Sequence, residues 1–374
     1  MRERVNSDSF SSRRCRVALL GFGTVGSAVA RRLTSASAPS QLQLTHIFDR
    51  RAVEKRARQI VEQPSVVGQS PGTLCDRNIV WTDRVEDVLY GDADVVVEAI
   101  GGIDPAAEWI RASLAAGKSV VTANKQVVAR DGAQLLTLAA RQGRQLRFEG
   151  AVGGAMPIVR AIGDGLAGDR ITRIVAILNG TTNDVLSRME ETGCTLTDAL
   201  REARARGYAE LDPSSDLDGH DARAKLAILC ALAFGLRVDP ARIPARSASS
   251  IAPDEIVAAR TRGSAIRQLA HADYDVTSSL LTAWVAPVEV PQGSIFGRTK
   301  GAQNAALITG EHSGTTGIFG VGAGGDATAV AIISDLAAVA RDKAAIVPAL
   351  TLNADFRLQT SDLRLHTSEL GVAC

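Results

Sequence analysis

The chain has 374 residues, 45% of them hydrophobic, and 42 basic against 41 acidic side chains leave a formal net charge of +1; such a length accommodates roughly two to three domains with ordinary cores. Without blocks of like charge the sequence argues against a nucleic-acid-binding surface or a polybasic membrane patch, and 4% aromatic residues argue against base-stacking platforms. Five scattered cysteines (Cys15, Cys75, Cys194, Cys230, Cys374) form neither a disulfide framework nor a CxxC metal site, and no apolar run reaches the ~20 residues of a bilayer span, so a cytoplasmic protein is expected.

Residues 1–14 are Arg/Ser-rich without an apolar stretch and read as a disordered extension. Residues 16–20 form a short apolar strand, Gly21-Phe22-Gly23-Thr24-Val25-Gly26 follows at once, and an apolar-periodic helix runs through Val29 and Leu33. A second strand over 42–48 ends on Asp49. Residues 94–100 are nearly continuous valine, as in a parallel strand buried on both faces. That run stops at Gly101-Gly102, and Pro105 opens a helix. A strand over 119–122 leads into Asn124-Lys125 and a helix over 131–142. Such strand–helix alternation implies right-handed βαβ units around a parallel sheet.

From Gly150 the texture changes. A strand over 171–178 precedes three amphipathic helices near 183–192, 198–206 and 221–234, the first two closed by Gly193 and Gly207. Residues 276–290 and 303–309 read as strands of a second sheet. Residues 320–325 form a second glycine-rich loop, opening a final helix over 328–341, and 350–374 carry no clear signal. The expected fold class is α/β, with a doubly wound parallel domain followed by an α+β domain.

The GxGxxG spacing between a strand and a helix is a dinucleotide-binding pattern. Gly21 permits the tight turn, Gly23 lets the backbone approach a pyrophosphate, Gly26 allows close helix–strand packing, and the helix N-terminus offers free N–H groups to the anion. Asp49, about 20 residues on, suits a ribose 2′-hydroxyl and repels a 2′-phosphate, whereas Arg50 and Arg51 would receive one; the balance leans to NAD over NADP. Lys125 stands at the carboxyl end of a parallel strand, where open α/β sheets bind ligands. It is either a residue that holds a substrate oxygen and relays protons or a surface lysine capping a loop. Residues 210–221 gather Glu210, Asp212, Asp216, Asp218 and Asp221, with Lys225 one helical turn beyond Asp221 at the mouth of an apolar helix. This is either an amine-binding pocket with a proton-carrying lysine or an N-capped helix with a surface ion pair. His220 reads as an exposed turn residue rather than as the base.

Taken together, these segments resemble the homoserine dehydrogenase family over about residues 15–345. GFGTVG (21–26), DVVVEAIGG (94–102), VTANK (121–125), NGTTN (179–183) and GYAELDPSSDLDGHDARAKLAIL (207–229) carry the resemblance; GAQNA (301–305) and GVGAGGDATAVAIISDL (320–336) match more loosely. The resemblance implies reversible hydride transfer between L-homoserine and L-aspartate 4-semialdehyde with NAD or NADP, a step of threonine and methionine biosynthesis. It implies a Rossmann domain over 15–150 completed by 315–345, a substrate-binding and dimerisation domain over 151–314, a tail over 346–374, and a homodimer. By match to the motifs, Lys125 and Lys225 resemble the family's catalytic lysines. Glu210, Asp216 and Asp221 resemble the acids that hold the substrate amine or orient Lys225, and Gly180 and Thr181 its other substrate contacts. Cofactor contacts are implied for Gly21, Phe22, Gly23, Thr24, Val25, Gly26, Asp49, Arg50, Gly101, Lys125 and Gly322. Glu149, with carbonyls at Val152, Gly154 and Met156, resembles a site for a monovalent cation such as Na+.

There are departures from the family pattern. Phe48 stands where many members place an arginine that serves the 2′-phosphate, and 287–300 lacks the usual His-Pro-Leu segment. The residues after Arg341 are too few for the regulatory ACT domain of many bacterial members. Two alternatives stay open: a paralogue acting on a different amino-hydroxy acid or semialdehyde, motivated by 287–300, and a catalytically silent nucleotide-sensing protein. The presence of both lysines argues against the second.

Overall fold

The computed structural model describes residues 13–62, 78–342, 347, 350–353 and 355–359. Residues 1–12 of the expected disordered extension and most of the tail beyond 346 lie outside the described residues.

Six strands, β1 (Cys15–Leu20), β2 (Leu42–Phe48), β3 (Val80–Thr82), β4 (Val95–Glu98), β5 (Ser119–Thr122) and β6 (Leu146–Arg147), form one sheet in the order β3-β2-β1-β4-β5-β6. Every pairing in it is parallel. Its connections carry α1 (Thr24–Leu33), α2 (Ala52–Glu62), α3 (Glu86–Leu89), α4 (Ala106–Ala115) and α5 (Lys125–Arg141). All four residues of β4 and of β5 are buried, which is why the stretch over 94–100 reads as nearly continuous valine. The strand order reverses between β1 and β4, so a crevice opens beyond their carboxyl ends, the usual ligand position of such sheets.

Helix α5 begins at Lys125, ahead of the 131 start that apolar periodicity predicts. Asn124 caps it, accepting from the Val127 N–H at 3.2 Å, and this polar cap is the boundary signal that periodicity passes over. Lys125 is therefore fixed at a helix N-terminus instead of riding on a loop.

The chain then runs through α6 (Ile158–Arg160), β7 (Ile171–Ile177), α7 (Gly180–Thr192), α8 (Leu196–Ala205), α9 (Ser214–Leu217), α10 (His220–Phe234) and α11 (Pro253–Thr261). Next come β8 (Ser264–Asp275), β9 (Leu280–Pro291), α12 (Ile295–Arg298), β10 (Gln303–Gly310), β11 (Gly314–Val321), α13 (Gly325–Arg341) and β12 (Arg357–Gln359). The second sheet has the order β11-β10-β7-β8-β9-β12, antiparallel except where β12 joins β9. The strand expected over 276–290 is the second arm of a hairpin, whose first arm, β8, buries Arg267, Gln268 and His271 and so hides its apolar alternation. Because β11 pairs with β10 as far as Val321, the return to the first layer starts at Gly322 rather than at 315. Helix α13 then packs against α1 through Ala329, Ile332, Leu336 and Val339.

Helix α10 ties the layers together. Its Leu226, Ile228 and Leu229 share one buried cluster with Ile174, Ala270 and Val285 of the second sheet and with Leu135, Leu136 and Ala139 of α5. A helix apolar on every side belongs in such a position. Its first two turns, which carry Asp221 and Lys225, are consequently held against the carboxyl edge of the first sheet.

Candidate active site

The glycine loop after β1 has the backbone that the sequence demands. Gly21 has φ +98°, and a Cβ there would stand 2.8 Å from the Ala99 carbonyl oxygen; a Cβ on Gly26 would stand 2.0 Å from that of Gly21. Neither α1 at Gly23 nor α13 at Gly324 receives a side-chain cap, so the first-turn amides of both are left for an anion. The two helix starts adjoin, since a Cβ on Gly325 would come 2.9 Å from the Thr24 carbonyl oxygen. This paired cradle fits the pyrophosphate of a dinucleotide.

Asp49, at the end of β2, accepts from the Phe22 N–H at 3.0 Å and the Arg51 N–H at 3.0 Å. It also pairs with Lys55, which in turn donates to the Phe22 carbonyl at 2.9 Å. Burial pushes the Asp49 carboxyl up, but these donors outweigh it and hold the group below the ordinary range. Lys55, six positions along and on α2, carried no sequence signal. Arg50 is exposed.

The loops after β4 and β5 are locked by Glu98, which is fully buried. Its carboxylate accepts from the N–H groups of Ile100 (2.8 Å) and Gly101 (3.2 Å) and from the Thr122 hydroxyl. The Thr122 oxygen accepts from the Asn124 N–H at 2.9 Å, and the Asn124 side chain donates to the Gly102 carbonyl at 2.6 Å. Gly101 and Lys125 are thereby fixed relative to each other.

At the mouth of α10, Asp221 is 6% exposed and bridges both lysines: Oδ1 lies 2.9 Å from Lys125 Nζ and Oδ2 lies 2.8 Å from Lys225 Nζ. Lys225 also donates to the Leu178 carbonyl at 2.7 Å, so two of its three donor positions are taken. Asn179 caps α7 through the Thr182 N–H, while its amide donates to Asp221 at 2.9 Å and to Asp216 at 2.7 Å. Burial would raise the Asp221 carboxyl, but the two ammonium groups prevail and hold it far below the ordinary range. In turn the Asp221 charge keeps Lys125 above its ordinary value, burial opposing. Asp216 shifts the other way: burial raises it and the neighbouring Asp221 adds to this, with Asn179 opposing. Asn179 and Lys55, like Glu98 and Asn124, set charges and hydrogen bonds in a way that no motif argument assigned.

These groups line one cleft of ≈ 480 Å³. Thr24 and Val25 come from the first glycine loop, Gly322 to Gly325 and Thr328 from the second loop and its helix, and Lys125, Gly180, Thr181, Glu210, Asp216, Asp221 and Lys225 from the elements between. A nucleotide cradle, two lysines and three carboxylates thus share one space, an arrangement able to hold a dinucleotide beside a small charged molecule. Residues 157–337 match the family model "Homoserine dehydrogenase" and residues 21–149 the model "Homoserine dehydrogenase, NAD binding domain". The homoserine dehydrogenase of Corynebacterium glutamicum is 38% identical over 330 residues, covering 87% of this chain and 72% of that protein. The chain belongs to the homoserine dehydrogenase family. It is an NAD(P)-dependent oxidoreductase acting on a CH–OH group.

Other homoserine dehydrogenases agree. That of Mycobacterium tuberculosis is 37% identical over 337 residues, covering 87% of this chain and 72% of its own. The crystal structure of the Thiobacillus denitrificans enzyme superposes with a TM-score of 0.81 at 32% identity, over 93% of this chain and 80% of that one. A hyperthermophilic archaeal homoserine dehydrogenase mutant, solved in complex with NADPH, gives a TM-score of 0.71 at 26% identity over 90% of this chain and all of that one.

The 287–300 segment does not line the cleft. It finishes β9 and forms α12, where Phe296 is buried in the far face of the second sheet and the Gly297 and Thr299 carbonyls accept from Arg267. The motive for a different substrate thus loses its structural footing. His220 is exposed, beside Arg223, and also outside the cleft. Glu149 is buried, and its carboxylate accepts from the N–H groups of Val159 and Arg160, both at 2.9 Å, capping α6. Burial and the nearby Asp335 push it up to about 7. Among the described residues no cluster of His, Cys, Asp or Glu side chains is arranged to hold a metal ion.

Proposed function

We propose that the Asp221-bridged lysine pair is the centre at which L-aspartate 4-semialdehyde and L-homoserine are interconverted. The observation that carries this reading is the convergence of Lys125 and Lys225, from different layers, on one buried carboxylate inside the cleft. The nicotinamide cofactor, when bound, supplies or accepts the hydride. In the reducing direction Lys225 donates a proton to the carbonyl oxygen, with Asp221 and the Leu178 carbonyl aiming its remaining N–H. Lys125, kept charged by Asp221, stabilises the developing alkoxide. Glu210 and Asp216 hold the substrate ammonium, and Gly180 and Thr181 meet its backbone atoms. Lys225→Ala is expected to lose about a hundredfold or more in kcat, the usual worth of a general acid; unchanged kcat with both reduced cofactors would refute the assignment.

Residues 15–150 with α13 form the nucleotide domain in this reading, and 151–321 the substrate domain. Gly21 to Gly26, Asp49, Gly101 and Gly322 receive the cofactor. NAD is preferred in this reading, because the Asp49 carboxylate at the end of β2, kept ionised by its donors and Lys55, would repel a 2′-phosphate. A monovalent cation such as Na+ sits in the 149–156 turn on main-chain oxygens at Val152, Gly154 and Met156, with the Glu149 carboxylate supplying charge from its capping position. Exchanging NaCl for KCl at constant ionic strength should then shift Tm, and an identical Tm would count against the site. A second copy docks along edge strand β11, whose Phe319 and Val321 are 69% and 50% exposed; light scattering on Phe319→Lys tests this. Cys194 and Cys230, neither of them in a disulfide, support a cytoplasmic location.

A further inference from the structure

The wall of the cleft that carries Glu210 is a loop over 207–212, and it is held in an unusual way. Tyr208, Glu210, Leu211 and Asp212 are exposed, Leu211 at 92%, so little apolar burial fixes the segment. Two arginines from the end of α8 hold it instead. The Arg204 guanidinium donates to the carbonyl oxygens of Glu210 at 3.1 Å and Leu211 at 2.9 Å. Arg206 forks onto both oxygens of Asp184, at 3.0 and 2.7 Å, and its guanidinium carbon lies 5.5 Å from the centre of the Tyr208 ring. Asp184 is 3% exposed and belongs to α7, the same helix whose Thr181 hydroxyl donates to the Tyr208 carbonyl at 2.8 Å. A bidentate fork on a buried carboxylate fixes direction as well as distance, which a single contact does not. The Tyr208 backbone is thus pinned to α7, its ring lies under Arg206, and the main chain at Glu210 is pinned to Arg204.

We infer that Arg204 and Arg206 are positioning residues for substrate recognition: they set where the Glu210 carboxylate and the Tyr208 ring stand, and so govern selection for a substrate bearing an α-ammonium group. Neither arginine lines the cleft, so each acts through the loop. The inference rests on the reading of Glu210 as an ammonium contact.

The test compares kcat/KM for L-aspartate 4-semialdehyde with that for 4-oxobutanoate, which is the same aldehyde acid without the amine. Arg204→Ala and Arg206→Ala should each lose about tenfold in this ratio, the equivalent of one charged hydrogen bond, chiefly through KM for the amino substrate. Activity on 4-oxobutanoate and KM for the cofactor should hold. In a Glu210→Ala background the arginine changes should cost no further discrimination. Arg204→Lys, which keeps the charge but spans only one carbonyl, provides a second variant and should fall between. Lower Tm and kcat with the ratio intact would mean that the arginines only stabilise the fold, and would overturn the inference. A wild-type ratio in the arginine variants beside a reduced ratio in Glu210→Ala would overturn it too. If Glu210→Ala itself left the ratio unchanged, the reading of Glu210 would fall and this inference with it.

Discussion

Replacing Asp221 with asparagine keeps the side-chain shape and removes the charge on which both lysines close. At an effective dielectric constant of about 20, each contact near 3 Å has a gross attraction of about 5 kcal/mol. Desolvation of the buried carboxylate offsets much of that, and severing a buried ion pair generally costs 3–5 kcal/mol. Lys125 is 36% exposed and Lys225 only 12%, so the second contact dominates and the lower end, about 3 kcal/mol, is expected. The folded carboxyl is depressed below its unfolded value of 3.8, so this stability is present above that pH and fades as the pH falls through and below it. Urea titrations of the wild type and Asp221→Asn should therefore diverge at pH 7 and approach each other in acid. Activity offers a separate check. Without Asp221, Lys125 loses the charge that raises it, so the alkaline fall in kcat should begin at lower pH, with kcat reduced about a hundredfold through misplacement of both lysines. An Asp221→Asn enzyme with the wild-type alkaline limb and near-wild-type kcat would refute the bridging argument.

Three further outcomes are expected. Asp49→Asn should raise the ratio of NADPH to NADH kcat/KM by about tenfold, because the repulsive charge goes while Lys55 stays; initial rates with both cofactors decide it. His271 is stacked on Trp284 and pushed down by burial to about 4 from 6.5. The unfolded chain therefore binds its proton first, and stability should fall by about 3 kcal/mol as pH drops from 6.5 to 4, a loss that His271→Phe should lack in denaturant titrations. Gly26→Ala would put a methyl 2.0 Å from the Gly21 carbonyl oxygen, so cofactor binding measured by fluorescence should weaken at least tenfold; retained affinity would contradict the close-packed loop.

The parts readable from sequence are those where local chemistry decides the structure. Gly21 and Gly26 are dictated by contacts within a few residues or with the adjoining strand, β4 and β5 by burial on both faces, and the Asp221–Lys225 pair by helical spacing. What was not readable depends on partners far away in the chain. Strand β8 conceals its period because Arg267 is buried against Glu190 and the Gly297 and Thr299 carbonyls, a pairing with no sequence signature. Strand β11 has Gly314, Gly317 and Gly320 in eight residues and is a strand because β10 offers it a ladder. Lys125 was a candidate on position alone; its partnership with Asp221 exists only because α10 lies between the second sheet and α5. Asn179 was noticed as part of a motif, yet its bridging of two carboxylates needed α7 and α10 side by side.

The packing of α13 on α1 has a consequence for how the protein is made. Helix α1, with Ala28, Val29 and Leu33, packs on the sheet, but one side of it is covered late, by Ala329, Ile332, Leu336 and Val339 of α13. On a growing chain the parallel sheet can pair early, but its nucleotide cradle stays half-built, with that side open, until nearly the whole second layer has been synthesised. Such late, long-range closure is slow and leaves an interval in which the nascent protein is prone to associate wrongly. In the reading proposed above, a cofactor held between the two glycine loops would bridge this seam and latch it. At a free concentration a hundred times its dissociation constant it would add about 2.7 kcal/mol to the closed form, so the yield of folded protein should rise with the cofactor present during folding.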